Sequence, residues 1–307
     1  MPDVGSATRH RVWVTFLVTP PLAVMAVFVV YPILSAFSYA FFSWHGLSRE
    51  AFVGLENFVD LFTKPHYAQP IIRAFGHNLI VLAALLVVQN GGGFLLAWFL
   101  YREPLGFRFH RVAVFLPVIL SSVIVAFLWK LLLHPNFGAV NGALNATGLG
   151  NLALPWLGDS RTALAALIFA NAWHWIGFPT LVFLAGMQRI PREVLESAEL
   201  DGASQIQVLR RIVWPLAAPS ATVTFTLLFI GAFNWFELPY LMTGLEGSPF
   251  GSTDVLGLVF YRLAFGNQSA SVQDFGHGSA LATLLFLFMA AVATAATIRL
   301  RRREIAL

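Results

Sequence analysis

Residues Arg189-Ile-Pro-Arg-Glu-Val-Leu-Glu-Ser-Ala-Glu-Leu-Asp-Gly-Ala-Ser-Gln-Ile-Gln-Val-Leu-Arg-Arg-Ile-Val-Trp-Pro215 form a charged insertion between two long apolar runs, 162–188 and 212–236. That juxtaposition decides the fold. A helix of about 20 apolar residues crosses the roughly 30 Å hydrocarbon core of a bilayer. Runs without Asp, Glu, Lys or Arg occur at 12–48, 74–101, 112–129, 162–188, 212–236 and 275–298. They predict an all-α polytopic membrane protein with six transmembrane helices, at about 12–43, 75–101, 111–133, 161–188, 214–242 and 277–299.

Composition agrees. The 307 residues are 58% hydrophobic and 11% charged, with a mean hydropathy of +0.73, outside the range of soluble globular domains. Barrel strands would alternate apolar and polar residues, whereas these runs are continuous Leu, Val, Ala and Phe. The first run is too long for a signal-peptide core and no small-residue cleavage site follows it, so a retained helix is expected. Pro20, Pro21 and Pro32 lie within it and are tolerable where neighbours satisfy the freed carbonyls.

Basic residues flank membrane helices preferentially on the cytoplasmic side. Six crossings divide the 19 Lys and Arg into 13 on the side of the 189–215 insertion and six on the other, so both termini and the insertion are expected in the cytoplasm. The pI near 9.8 follows from this placement rather than from a nucleic-acid surface. With no cysteine, the chain has neither disulfides nor thiol chemistry. Gly91-Gly-Gly93 lacks a following Gly-Lys-Ser/Thr and sits in an apolar run, which indicates close helix packing. No H-E-x-x-H and no nucleophile elbow occurs, so no hydrolase is indicated.

Within the insertion, Pro191 suits a first helical turn, and Glu193 and Glu196 complement the positive end of a short helix reaching about Asp201. Asp201-Gly202 is a turn pair. Ser204 to Gln207 has capping-box spacing and starts a second short helix to about Ile212, with Pro215 opening the next crossing. The result is a compact knob with small residues, Ala198 and Ala203, near its bend.

The pattern Glu196-Ser197-Ala198-x-x-Asp201-Gly202-Ala203, with Leu209, Ile212 and Pro215, resembles the loop by which permease subunits of ATP-binding-cassette importers engage their ATPase. Ser197 replaces a usual alanine, Leu209 a usual aromatic and Trp214 a usual leucine. The resemblance to permeases of the maltose-transporter class extends over about 54–302, through Phe107-x-x-x-Arg111, Phe115-Leu-Pro117, Trp129-Lys130, Asn136-Phe-Gly138, Trp156-Leu-Gly158, Leu184-Ala-Gly186 and Tyr240-x-x-Thr-Gly244.

The resemblance implies a type I importer fold, with a transmembrane domain at 74–302 that carries the coupling loop 189–215. The N-terminal tail, first helix and external segment (1–73) precede it, and a tail (303–307) follows. It implies four kinds of partner: a second homologous permease, an ATPase dimer, an extracytoplasmic solute-binding protein and the lipid bilayer. ATP and Mg would be bound by the ATPase, since this chain has no phosphate loop and no cofactor of its own.

Polar residues within membrane helices usually face a bundle interior or a water-filled path. Asn171, Trp175 and Phe178 fall on one stripe of the fourth helix, and Gly231, Asn234, Trp235 and Glu237 toward the outer half of the fifth. The resemblance places a path for a sugar, polyol or glycerol phosphate ester there, and amides with aromatic faces suit such a solute. His174, Gln89 and Asn90 are expected to pack or bond between helices. Pro117, Pro179 and Pro239 are candidate kinks. The rival reading is an ion-coupled secondary transporter that uses Glu237 as a proton carrier.

Overall fold

A computed structural model describes residues 4–46, 48–266 and 273–302, excepting the side chains of residues 4–12. The expected tail 303–307 lies outside the described residues.

The first helix begins at Val4, and its apolar part is α1 (Trp13–Tyr39). A hairpin of β1 (Phe42–His45) and β2 (Ser48–Phe52) and the short α2 (Glu56–Thr63) lead into α3 (Pro65–Tyr101). Three crossings are bent. The first joins α4 (Phe107–Ile119) and α5 (Ser122–Leu132) at 103°. After α6 (Ala139–Ala146), α7 (Ala163–Trp175) and α8 (Gly177–Met187) meet at 43°. The arm follows as α9 (Arg192–Leu200) and α10 (Gln205–Leu216), and α10 meets α11 (Ala218–Phe233) at 71°. The chain closes with α12 (Glu237–Thr243), α13 (Leu256–Phe265) and α14 (Phe275–Arg301). With each bent pair taken as one span, the six expected crossings are present.

Prolines account for two of the bends. A proline lacks the N–H that would bond the carbonyl four residues earlier, so Pro179 frees the Trp175 carbonyl where α7 ends and Pro219 frees that of Pro215 beside the break at Ala217. The break between α4 and α5 falls three residues past Pro117: Leu120 is extended at ψ 144°, and the Ser121 hydroxyl then caps α5 by accepting from the Ile124 N–H.

Four expected boundaries move. Pro215 does not open the fifth crossing; it belongs to the arm, because the chain turns only at Ala217. That crossing ends at Phe233 rather than near 242 and resumes as α12. The second crossing starts at Pro65, ten residues early, since a polar first turn still extends a helix. The expected loop 243–276 contains α13, whose Leu256, Leu258, Val259 and Ala264 are buried. The hairpin was also unforeseen. Its alternation is only a few residues long, and its turn needs Gly46 at φ +59°.

The core is divided along the bundle. Near the hairpin end, Val81, Val125, Trp129, Leu167, Leu228 and Leu258 form one cluster, and Leu61, Ala74, Phe233, Leu256 and Leu281 a second. At the arm end, Phe94, Ala97, Leu100, Phe183, Met187, Val208 and Val213 form a third. The glycine run packs as expected at Gly93, where a Cβ would lie 3.0 Å from the Pro179 side chain and 3.2 Å from the Thr180 nitrogen. Phe16, Leu17, Phe28 and Leu34 of α1 are exposed, as suits a lipid-facing helix.

Polar ties fix the hairpin end. Buried Asn78 donates to the Ala232 carbonyl at 2.6 Å and accepts from the Leu256 N–H at 2.9 Å, which links α3, α11 and α13. Fully buried Asp254 accepts from Arg262 through two bonds of 2.9 and 2.6 Å, and the Arg73 guanidinium lies 3.4 Å away. Asp274 caps α14 and bonds the His277 ring at 2.6 Å, while the other ring nitrogen reaches Asp60 at 3.2 Å. Burial pushes the Asp60 carboxyl up, but hydrogen bonds from Lys64 and His277 outweigh it and hold the group below its usual range.

Candidate functional site: a jointed arm beneath a polar cavity

The arm is shaped by local bonds. At the end of α9, Ala203 N–H donates to the Ala198 carbonyl and Gly202 N–H to the Glu199 carbonyl, both at 3.0 Å. That six-to-one and five-to-two pairing is a Schellman stop, which needs a left-handed residue at its hinge. Gly202 supplies it at φ +80°. The spacing of Ala198, Gly202 and Ala203 thereby acquires a physical meaning: the two alanines are the closing pair of the stop, joined through their backbones. Immediately after it, the Ser204 hydroxyl accepts from Gln207 N–H at 3.4 Å and the Gln207 side chain accepts from Ser204 N–H at 2.7 Å. The expected capping box therefore forms, and one helix ends where the next begins.

The two faces of the arm differ. Val208, Val213 and Ala217 are buried against α3 and α8, with Leu195, Ala198, Ala203 and Leu209 packed partly over them. Glu196, Ser197, Asp201 and Gly202 face outward, while Ile212 and Pro215 are half-buried. Leu200 and Ile206 remain 89% and 76% exposed, large apolar residues on an otherwise charged surface. Arg102 donates to Gln205, tying the turn between α3 and α4 to the arm. Pro191 precedes α9 rather than occupying its first turn.

All seven residues expected along a path line one cavity of about 410 Å³: Asn171, Trp175, Phe178, Gly231, Asn234, Trp235 and Glu237. Trp175 and Trp235 each stand four residues before a proline, Pro179 and Pro239, so both sit where a helix is interrupted on either side of the arm. Asn171, 8% exposed, donates to Gln89 at 3.4 Å. Gln89 and Asn90 lie in a π-helical segment, Leu86–Gly91, and both line the cavity; such widened turns re-aim side chains. Gln89 thus bonds between helices, as expected of both, whereas Asn90 shows no such bond among the described residues, and both face the cavity. His174 is buried with Nε2 3.0 Å from the Leu120 carbonyl, a packed histidine as expected.

Ser122, Thr224 and Phe236 also line the cavity and were not foreseen. For Thr224 the signal was present, because Thr224, Leu228, Gly231 and Trp235 share one helical face. Ser122 and Phe236 flank breaks whose direction no periodicity encodes.

A second cavity of about 1030 Å³ continues toward the arm end. It shares Asn90 and Thr224 with the first, and Trp214, Pro215, Arg299 and Arg302 also line it. Arm and cavities are therefore contiguous, because Pro215 belongs to both.

A polytopic bundle with a jointed arm at one end and a polar cavity inside it defines a class, the membrane subunit of a transporter driven from outside its own chain. The chain belongs to the family of binding-protein-dependent transport system inner membrane components, whose pattern matches residues 89–304. It is 33% identical to a probable ABC transporter permease protein of Bacillus subtilis (strain 168), over 91% of this chain and 93% of the relative. It is 31% identical to a multiple sugar-binding transport system permease of Streptococcus mutans, over 91% of each chain. It is 27% identical to a probable starch degradation products transport system permease of Thermoanaerobacterium thermosulfurigenes, over 97% of each.

In three dimensions the chain superposes on a chain of a bacterial ABC transporter involved in the import of the acidic polysaccharide alginate. The TM-score is 0.81 at 24% identity, covering 97% of this chain and 98% of that one. The fold is that of a type I ABC importer permease, a multi-pass inner-membrane transport component and not an enzyme.

Proposed function

We propose that this permease forms half of the translocation path for a sugar or a related polyol or glycerol phosphate solute, and that a second homologous permease completes it. The observation that carries the reading is the convergence of Asn171, Trp175, Phe178, Gly231, Asn234, Trp235 and Glu237 on one cavity. Rings for C–H faces and amides for hydroxyls are what a sugar requires. Relatives described as permeases for multiple sugars and for starch degradation products lend the same support.

In this reading an extracytoplasmic solute-binding protein delivers the solute, and residues 189–215 dock on a cytoplasmic ATPase dimer that binds ATP and Mg. The excess of basic residues on the arm side supports an orientation with both termini in the cytoplasm. The docking surface is the outward face, with Glu196, Ser197, Asp201 and Gly202 at its centre. Ala198, Ala203, Leu209, Ile212 and Pro215 back it. Closure of the ATPase dimer shifts the arm, and the arm carries α8 and α11 because they adjoin it directly in the chain. The cavity between those helices then alternates between the two sides, as a population shift between rigid arrangements.

Family membership sets aside the rival proton-coupled mechanism. The test is uptake in proteoliposomes holding both permeases, the ATPase and the binding protein. Uptake should require ATP and survive a proton uncoupler. Loss with the uncoupler, or persistence without the ATPase, would sink the proposal.

A further inference from the structure

This chain contributes one acidic side chain to the mid-depth cavity. Neither Lys nor Arg is among its lining residues, and Glu237 is its one carboxylate. His174 spends a ring nitrogen on the Leu120 carbonyl and is 2% exposed. Glu237 is exposed, and among the described residues its carboxylate has no hydrogen bond or ion pair. A first-turn position in α12 makes a carboxylate acceptable there, yet Glu237 is not consumed by capping. Beside it, Trp235 is 8% exposed and packs in the core cluster, so its indole N–H is enclosed and Glu237 is the polar group that this turn presents to the cavity.

The cavity therefore offers the amides of Gln89, Asn90, Asn171 and Asn234, the rings of Trp175, Phe178, Trp235 and Phe236 and one carboxylate. A hydroxyl-bearing solute suits these groups. Its oxygens accept from the amides, and an O–H donates to Glu237 in a charge-assisted bond. A carboxylate or phosphate meets Glu237 as a like charge and is repelled.

We infer that this chain's half of the path is selective by charge: it favours neutral polyhydroxylated solutes, sugars and polyols, over solutes bearing a carboxylate or phosphate, with Glu237 as the residue that sets this preference. The inference rests on the reading of the cavity as a path, and it narrows that reading by removing glycerol phosphate esters from the solute class.

The absence of cysteine from the chain allows a test that does not depend on the binding protein's own selectivity. Gly231 lines the cavity, and a Cβ added there meets nothing within 4 Å, so Gly231→Cys places a single thiol in it. In the assembled importer, labelling rates are measured with neutral hydroxyethyl and anionic sulfonatoethyl methanethiosulfonates, with Glu237 present and in a Glu237→Gln background. The anionic reagent should lag the neutral one with Glu237 present, and its relative rate should rise about tenfold on Glu237→Gln, the scale of one like charge a few ångströms away. An unchanged ratio overturns the charge inference while leaving the path reading intact, because the thiol is still reached. Failure of both reagents to label would show a closed, dry cavity and overturn both.

Discussion

The arm and the cavity are assembled by opposite rules. The bonds within the arm that shape its joint link residues no more than six apart, from Ser204–Gln207 to Gln205–Glu199. The cavity instead joins Asn171 to Gln89 across 82 residues, while Asn78 holds Leu256 across 178. Local rules make a part whose shape survives in isolation from its neighbours, which suits a lever; distant rules make a space that changes when helices move, which suits a path. The difference predicts that damage to the arm disconnects transport, whereas damage to the cavity degrades it.

The largest effect is expected at Gly202. Gly202→Asp should abolish ATP-driven uptake while the chain still inserts, because a side chain is strained at φ +80° and a negative charge at the C-terminus of α9 opposes the helix dipole. Gly202→Ala separates the two causes, since alanine is strained in the left-handed region but carries no charge; it should retain partial uptake. Normal uptake by Gly202→Asp, with the ATPase still co-purifying, would show that the joint's geometry is irrelevant to coupling.

Asn171→Ala should lower uptake by about fivefold with ATPase association unchanged, the scale of one lost hydrogen bond of about 1 kcal/mol. Unchanged affinity and rate would remove Asn171 from the path. A smaller loss, about threefold or roughly 0.6 kcal/mol, is expected for Pro179→Ala. That change restores an N–H for the Trp175 carbonyl and straightens the junction of α7 and α8. Its mark is slower uptake accompanied by higher thermal stability; a fall in both would mean a packing defect at Gly93 instead.

The same contrast explains what the sequence could tell. The arm was legible nearly residue by residue, because the Asp201-Gly202 turn and the Ser204–Gln207 box are spelled in consecutive residues. Its error, Pro215 as the start of the fifth crossing, arose because Pro219 rather than Pro215 lies beside the break. The six crossings were legible from apolar runs, but the 103° and 71° bends were not. A hydropathy run records that a segment is apolar and omits its direction. In the same way α13 was hidden in a glycine-rich stretch, since its seating depends on Asn78 arriving from elsewhere. Asn171, Trp175 and Phe178 were found by periodicity and the fifth-helix residues through the family resemblance; Ser122 and Phe236, at breaks, were not found.

The smallest effect distinguishes which half of the joint matters. Ser204→Ala removes the hydroxyl that accepts from Gln207 N–H, and losing such a cap costs about 1 kcal/mol of helix stability. The Schellman bonds of Gly202 and Ala203 are made by backbone and survive, so the direction of the chain out of α9 is unchanged. Val208 and Val213 remain buried against α3 and α8 and keep α10 seated without its cap. Uptake should therefore fall by less than about twofold, the part of that 1 kcal/mol not recovered by tertiary packing. If Ser204→Ala instead matched the loss in Gly202→Asp, the arm would owe its shape to the start of the second helix rather than to the stop of the first, and the alanine pair would need another explanation.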